Sequence, residues 1–202
     1  MLIDAKSMAD YLDFADAPHF ARQGDFHSGI MGAIDLLSDV VDRRLPERMA
    51  LFRDYAASAL KRVPPVQVAN LRQLMADVRS QGTVIPIRPL IVVIDEFAEL
   101  VLASSDRKKF ETLVTRFIGV ARAIGGHLIA ATQRPSTDVV TGVMKSNFAR
   151  AALRVQQSVD SRVILDENGA EALLGRGDLL FKSQESGIVR LQGYSALGPY
   201  HF

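Results

Sequence analysis

The chain has 202 residues, of which 48% are hydrophobic and 23% charged, with 24 basic against 23 acidic side chains and no cysteine. That length buries a sizeable core, while the composition excludes a disulfide scaffold, a cysteine-ligated metal site and a strongly basic nucleic-acid binder. No apolar run approaches the roughly 18 residues of a membrane span. No basic stretch and apolar segment follow Met1, so no signal peptide is read, and the absence of cysteine fits a cytoplasmic protein.

In chain order, Leu2-Ile3-Asp4 reads as the end of a strand. Residues 28–62 read as a long helix broken near Pro46, which lacks a backbone donor. Ile30, Ile34, Leu37, Val41 and Leu45 form one apolar stripe, continued by Met49, Phe52, Ala56 and Leu60. The stripe is a core contact, and Arg43, Arg44, Arg48 and Arg53 form a solvated face opposite it. Pro64-Pro65 ends this helix. Residues 66–80 read as another, with Leu71, Leu74, Met75 and Val78 inward. Gln81-Gly82, Pro86 and Pro89 then punctuate the approach to the central stretch.

That stretch runs from Pro89 to Pro135. Residues 90–94 are a short β-branched apolar run, which predicts a strand buried on both faces. It ends on Asp95-Glu96. Two carboxylates at the C-terminal tip of a buried parallel strand suit metal and water chemistry, because the crevice of an open α/β sheet lies there. A helix follows, with Phe110, Leu113, Val114, Phe117, Val120 and Ala121 on one face. Residues 127–132 form a second buried strand ending on Gln133. The unit is strand–helix–strand with polar tips at both strand ends.

Residues 136–147 read as a loop and a short helix, and 151–155 as another buried strand. Short helices are expected over 160–165 and 169–174, the second stopped by Gly175. Residues 178–182 and 188–192 pair across a turn holding Gly187. His19, His27, His127 and His201 have no ligand spacing, and His127, opening its strand, reads as a core residue. No repeat, low-complexity tract or interdomain linker is present.

IVVIDEFAEL, HLIAATQRPSTDVVTG and SRVILDENGAEALLGRGDLLF together resemble the FtsK/SpoIIIE/HerA family of DNA-translocating motors. Weaker matches lie at LIDAK, at Pro18-His19-Phe20 and around residues 43–48. The resemblance implies an α/β fold of RecA-like P-loop NTPase type, a mostly parallel sheet flanked by helices. Residues 1–88 would form an N-terminal strand and helical part, and 89–195 the Walker B and sensor core. One departure is large: no G-x-x-x-x-G-K-[ST] occurs in the chain. A Gly-rich loop cradles phosphates with its backbone N–H groups, and its lysine neutralises them. The resemblance therefore implies an N-terminally truncated domain, its P-loop strand and helix absent, and a gap in the sheet between residues 127–132 and 151–155 or its closure by a strand from elsewhere. No C-terminal winged-helix sequence reader is expected.

By the same resemblance, Asp95 holds Mg²⁺, directly or through water, and Glu96 orients and deprotonates the attacking water. Gln133 senses the γ-phosphate of ATP, while Thr132 is packing. Arg122 acts as an arginine finger on the next subunit's nucleotide, with Arg116 as the fallback. Asp4 and Lys6 match the family's strand-end Asp–Lys pair and would assist nucleotide binding. Ser136, Thr137, Thr141, Lys145 and Arg150 are candidates for contacts to DNA phosphates. The implied function is ATP-driven translocation of double-stranded DNA by a ring, a hexamer, with hydrolysis at subunit interfaces. The alternative is a non-hydrolysing remnant or interaction module that docks on a full-length motor.

Overall fold

A computed structural model describes residues 2–4, 26–28, 30–83, 87–102 and 107–194. Lys6 and the Pro18-His19-Phe20 match lie outside them. The chain divides into two compact units, Met1–Gln133 and Arg134–Phe202.

The first unit is built on a four-stranded parallel sheet. Its strands are β1 (Leu2–Asp4), β2 (Phe26–Ser28), β3 (Leu90–Ile94) and β4 (Gly126–Ala130), in the order β2-β1-β3-β4. The sheet thus joins residues on both sides of position 88. The helices are α1 (Ile30–Asp39), α2 (Leu45–Leu60), α3 (Leu71–Ser80), α4 (Phe97–Leu102) and α5 (Arg107–Ala121). In α5, Phe110, Leu113, Val114, Phe117 and Ala121 recur at helical spacing and are buried, as expected, whereas Val120 is 39% exposed.

The helix over 28–62 does not simply break at Pro46. It widens just before it, through a π-helical turn at Val40–Arg44, where the N–H of Leu45 bonds to the carbonyl of Val40. Pro46 then sits in the first turn of α2. The extra residue in the turn rotates the stripe, so Phe52 and Ala59 are buried and Leu60 is exposed. Arg48 also departs from the solvated face. It donates to the carbonyls of Arg88 and Ile124, pinning α2 to the approaches of β3 and β4. α3 starts at Leu71 rather than 66, because the side chain of Asn70 caps it by accepting from the N–H of Gln73.

β3 is not buried on both faces. Leu90, Val92 and Ile94 are buried, but Ile91 is 48% exposed, as is Ile129 of β4 at 54%. Ile91 pairs with His127, and that histidine is exposed on the same open face rather than in the core. Alternation with period two sends these side chains away from the face that the helices cover. Gly125 adopts φ 70° at the turn into β4; a side chain there would also collide with Leu71.

The second unit is a three-stranded antiparallel sheet, β5 (Arg150–Leu153), β6 (Asp178–Ser183) and β7 (Gly187–Gln192), with α6 (Gly142–Asn147) and α7 (Ser158–Leu165). The 178–192 hairpin forms as expected. β5 is shorter than 151–155, and only Ala152 in it is buried, packing with Leu165, Ala170 and Leu173. β4 and β5 do not pair: β4 ends one sheet and β5 the other, so among the described residues no strand joins them.

Candidate active site

The site lies where β3 and β4 end side by side. Their pairing carries on past the strands, since the N–H of Ala131 bonds to the carbonyl of Ile94 at 2.9 Å. The N–H of Phe97, opening α4, then bonds back to the carbonyl of Ala131 at 2.7 Å. The chain between β3 and α4 is thereby held as a tight corner, and Asp95-Glu96 is that corner.

Glu96 is 2% exposed, in a stretch where Ile94, Phe97 and Ala98 are buried as well. Burial of a carboxylate is costly unless donors meet it. Here the hydroxyl of Thr132 donates to its Oε1. The backbone N–H of Gln133 is shared between Oε1 at 3.2 Å and Oε2 at 3.0 Å. Both donors are neutral and both come from the tip of the neighbouring strand. Asp95, beside Glu96, is half-buried.

Asp4 reaches the same end of the sheet. Ile3 is in register with Ile94, so Asp4, the last residue of β1, and Asp95, the residue after β3, stand at the same level. Gln133 joins the site through its backbone; the residue itself is exposed. Arg122 is not brought there. It is exposed on a 3₁₀ turn, Arg122–Ile124, that leads into the opposite end of β4. Five strand residues separate the two ends, roughly 16 Å at 3.3 Å per residue. Arg116, the fallback, forms an ion pair with Asp42 at 2.7 Å.

The remaining candidates belong to the second unit. The carbonyl of Ser136 accepts from the N–H groups of Val139 and Val140, closing a turn. Thr141 caps α6, its hydroxyl accepting from Met144 at 3.4 Å, and Thr137 is exposed. Lys145 and Arg150 converge on Asp166, each at 2.7 Å, and Lys182 stands 3.7 Å away. Hydrogen bonds from Lys145 and Arg150 hold the Asp166 carboxyl down at about 2. Asp166 itself ends α7 in the left-handed region, φ 64°.

Sequence reasoning missed Thr132. Read as packing, it turns out to contact the buried carboxylate. The available signal was its position: a hydroxyl at a strand tip directly before a polar residue, beside a strand that ends in acids.

A sequence model of the FtsK/SpoIIIE family matches residues 1–137. The chain belongs to the FtsK/SpoIIIE family. It is 51% identical over 106 residues to the DNA translocase FtsK of Haemophilus influenzae, covering 52% of this chain and 20% of that protein. It is 50% identical over 116 residues to the DNA translocase FtsK of Streptococcus pyogenes, covering 56% of this chain and 14% of that protein. The match thus spans a fifth or less of the length of these FtsK relatives. Among solved structures, the conjugation coupling protein TcpA of pCW3, a monomer form with ATPγS, superposes with a TM-score of 0.64 at 24% identity. That match covers 95% of this chain and 50% of TcpA. The cytoplasmic domain of the type VII secretion ATPase EccC of Thermomonospora curvata gives 0.66 at 21% identity, covering 99% of this chain and 22% of EccC. These likenesses establish the fold, an α/β core of the RecA-like P-loop ATPase type.

Proposed function

We propose that this chain forms the water-activating part of an ATP-driven double-stranded DNA translocase motor, working as a ring with hydrolysis at subunit interfaces. The observation that carries the reading is the buried Glu96, held by donors from the neighbouring strand tip. A carboxylate positioned at the C-terminal edge of a parallel sheet stands where a general base is needed. The relatives' name as DNA translocases supplies the direction of the proposal.

The residues fit Mg²⁺ in a limited way. Among the described residues no cluster of three or more acidic or histidine side chains could enclose a metal. Mg²⁺ commonly keeps several waters and takes only one or two carboxylates plus substrate phosphates, so Asp95, half-buried at the corner, suffices as its protein partner. When bound, the ion would neutralise phosphate charge. The chain's own part is distinct: Glu96 accepts the proton of the attacking water, Gln133 presents its amide to the terminal phosphate, and Asp4 lies at the same sheet end. Arg122, at the opposite end of β4, suits a neighbouring subunit's nucleotide rather than its own. Ser136, Thr137, Thr141, Lys145 and Arg150 are the proposed DNA-facing group. Lys145 and Arg150 would have to share their charge with Asp166.

A second reading, the non-hydrolysing module docking on a full-length motor, rests on one observation: the 202 residues contain no G-x-x-x-x-G-K-[ST]. ATP hydrolysis separates the two. We expect none from the chain alone, and double-stranded-DNA-stimulated hydrolysis once it is joined to a segment supplying that loop. Continued inactivity of the joined, folded protein would favour the docking module.

A further inference from the structure

The hydroxyl and the backbone N–H that donate to Glu96 come from one strand tip. The glutamate is nearly inaccessible, and the hydroxyl of Thr132 and the N–H of Gln133 between them engage both of its oxygens. A general base has to reach its water at hydrogen-bond distance. The Glu96 carboxylate is turned to the tip of β4. We propose that Thr132 is a positioning residue that latches Glu96 in this pose, and that displacement of the Gln133 backbone releases it.

The release path follows from the chain itself. Gln133 is the last residue of the first unit, and the next residues, from Arg134 onward, include Ser136, Thr137 and Thr141. Only two residues, Arg134 and Pro135, separate Gln133 from the start of the group proposed to touch DNA. A pull on that segment is transmitted through covalent bonds to the Gln133 N–H. Phe97 and Ala131 remain laced to each other and to Ile94, so the corner carrying Glu96 stays fixed while the donors move. The latch thus converts DNA engagement into access of the base to water. This inference rests on the ATPase reading above and concerns how the same glutamate is regulated.

Hydrogen exchange tests it on the 202-residue chain without nucleotide. The Gln133 amide is expected to be protected, and Glu96→Ala sets the unprotected level by removing the acceptor. Thr132→Val keeps the shape and removes the hydroxyl, so protection should fall roughly tenfold, the scale of losing a hydrogen bond to a charged group. Thr132→Ser should retain it, which a packing role for the methyl group would not predict. A short double-stranded DNA should lower protection by a similar factor in the unsubstituted chain. In the protein joined to a P-loop segment, Thr132→Val should raise DNA-independent hydrolysis about tenfold and shrink the stimulation by DNA. An unprotected Gln133 amide in the free chain overturns the latch, as does equal protection in Thr132→Val. DNA binding that leaves protection unchanged overturns the release path. A joined protein that fails to hydrolyse ATP contradicts the ATPase reading, while the exchange measurements still judge the latch.

Discussion

Two carboxylates, one in each compact unit, are held in opposite ways. Glu96 in the first unit is buried and met by a hydroxyl and a backbone N–H, both uncharged. Asp166 in the second is half exposed and met by Lys145 and Arg150, with Lys182 close by. Cations fix a carboxylate by neutralising it, so Asp166 has little left to offer another partner. The donors that the tip of β4 gives Glu96, by contrast, are a hydroxyl and a backbone N–H, and each can be displaced without removing a cation. The contrast is between a buried carboxylate held by neutral donors and an exposed one tied by cations, although sequence alone presents both as single acids within a loop or corner.

The scaffold under each carboxylate can be broken first. Phe117 is 1% exposed on α5, and Leu165 is fully buried beside β5. Phe117→Ala should cost about 3–5 kcal/mol and Leu165→Ala about 2–5 kcal/mol, read as the shift in urea midpoint. A loss under 1 kcal/mol for either would mean that its unit is not packed as described. The next effect concerns acid. The Asp166 carboxyl is lowered from 3.8 to about 2 by its cationic partners. A lowered folded-state value means stabilisation that is complete above about pH 4 and disappears as pH falls towards about 2. Asp166→Asn should flatten that part of the stability–pH profile and leave the profile above pH 5 parallel to the original. Asp178, similarly lowered to about 2 by Arg190, should preserve the remainder of the acid limb. An unchanged acid limb in Asp166→Asn would dissolve the contrast. The smallest effect is at Asn70: its loss to Ala should cost about 1 kcal/mol and fray the start of α3, visible as faster amide exchange at Gln73.

The sequence made the strand at Leu90–Ile94 visible, and the next one too, though read over 127–132 where it runs Gly126–Ala130, because β-branched apolar runs bounded by turn residues have few other uses. It also exposed the strand-end acids. What it hid depends on what lies across the sheet. An all-apolar run reads as doubly buried, yet Ile91 and Ile129 are about half exposed, because among the described residues the helices pack on the face that carries Leu90, Val92 and Ile94. The π-helical turn before Pro46 was invisible, since one added residue leaves composition unchanged. Arg48 looked solvated by helical position, and its carbonyl partners come from residues 40 and 76 positions away. Thr132 and Glu96 meet across 36 positions. Only the parallel register of β3 with β4 brings their tips together, and no local pattern states that register.

The central claim is that Glu96 is the base of an ATPase. It is tested most directly by Glu96→Gln in the protein joined to a P-loop-bearing segment, with ATP binding and turnover measured together. The amide keeps the size and the acceptor oxygen but cannot take a proton. The account predicts unchanged ATP affinity and turnover reduced by about 10² to 10⁴. Turnover equal to that of the unsubstituted protein would contradict it.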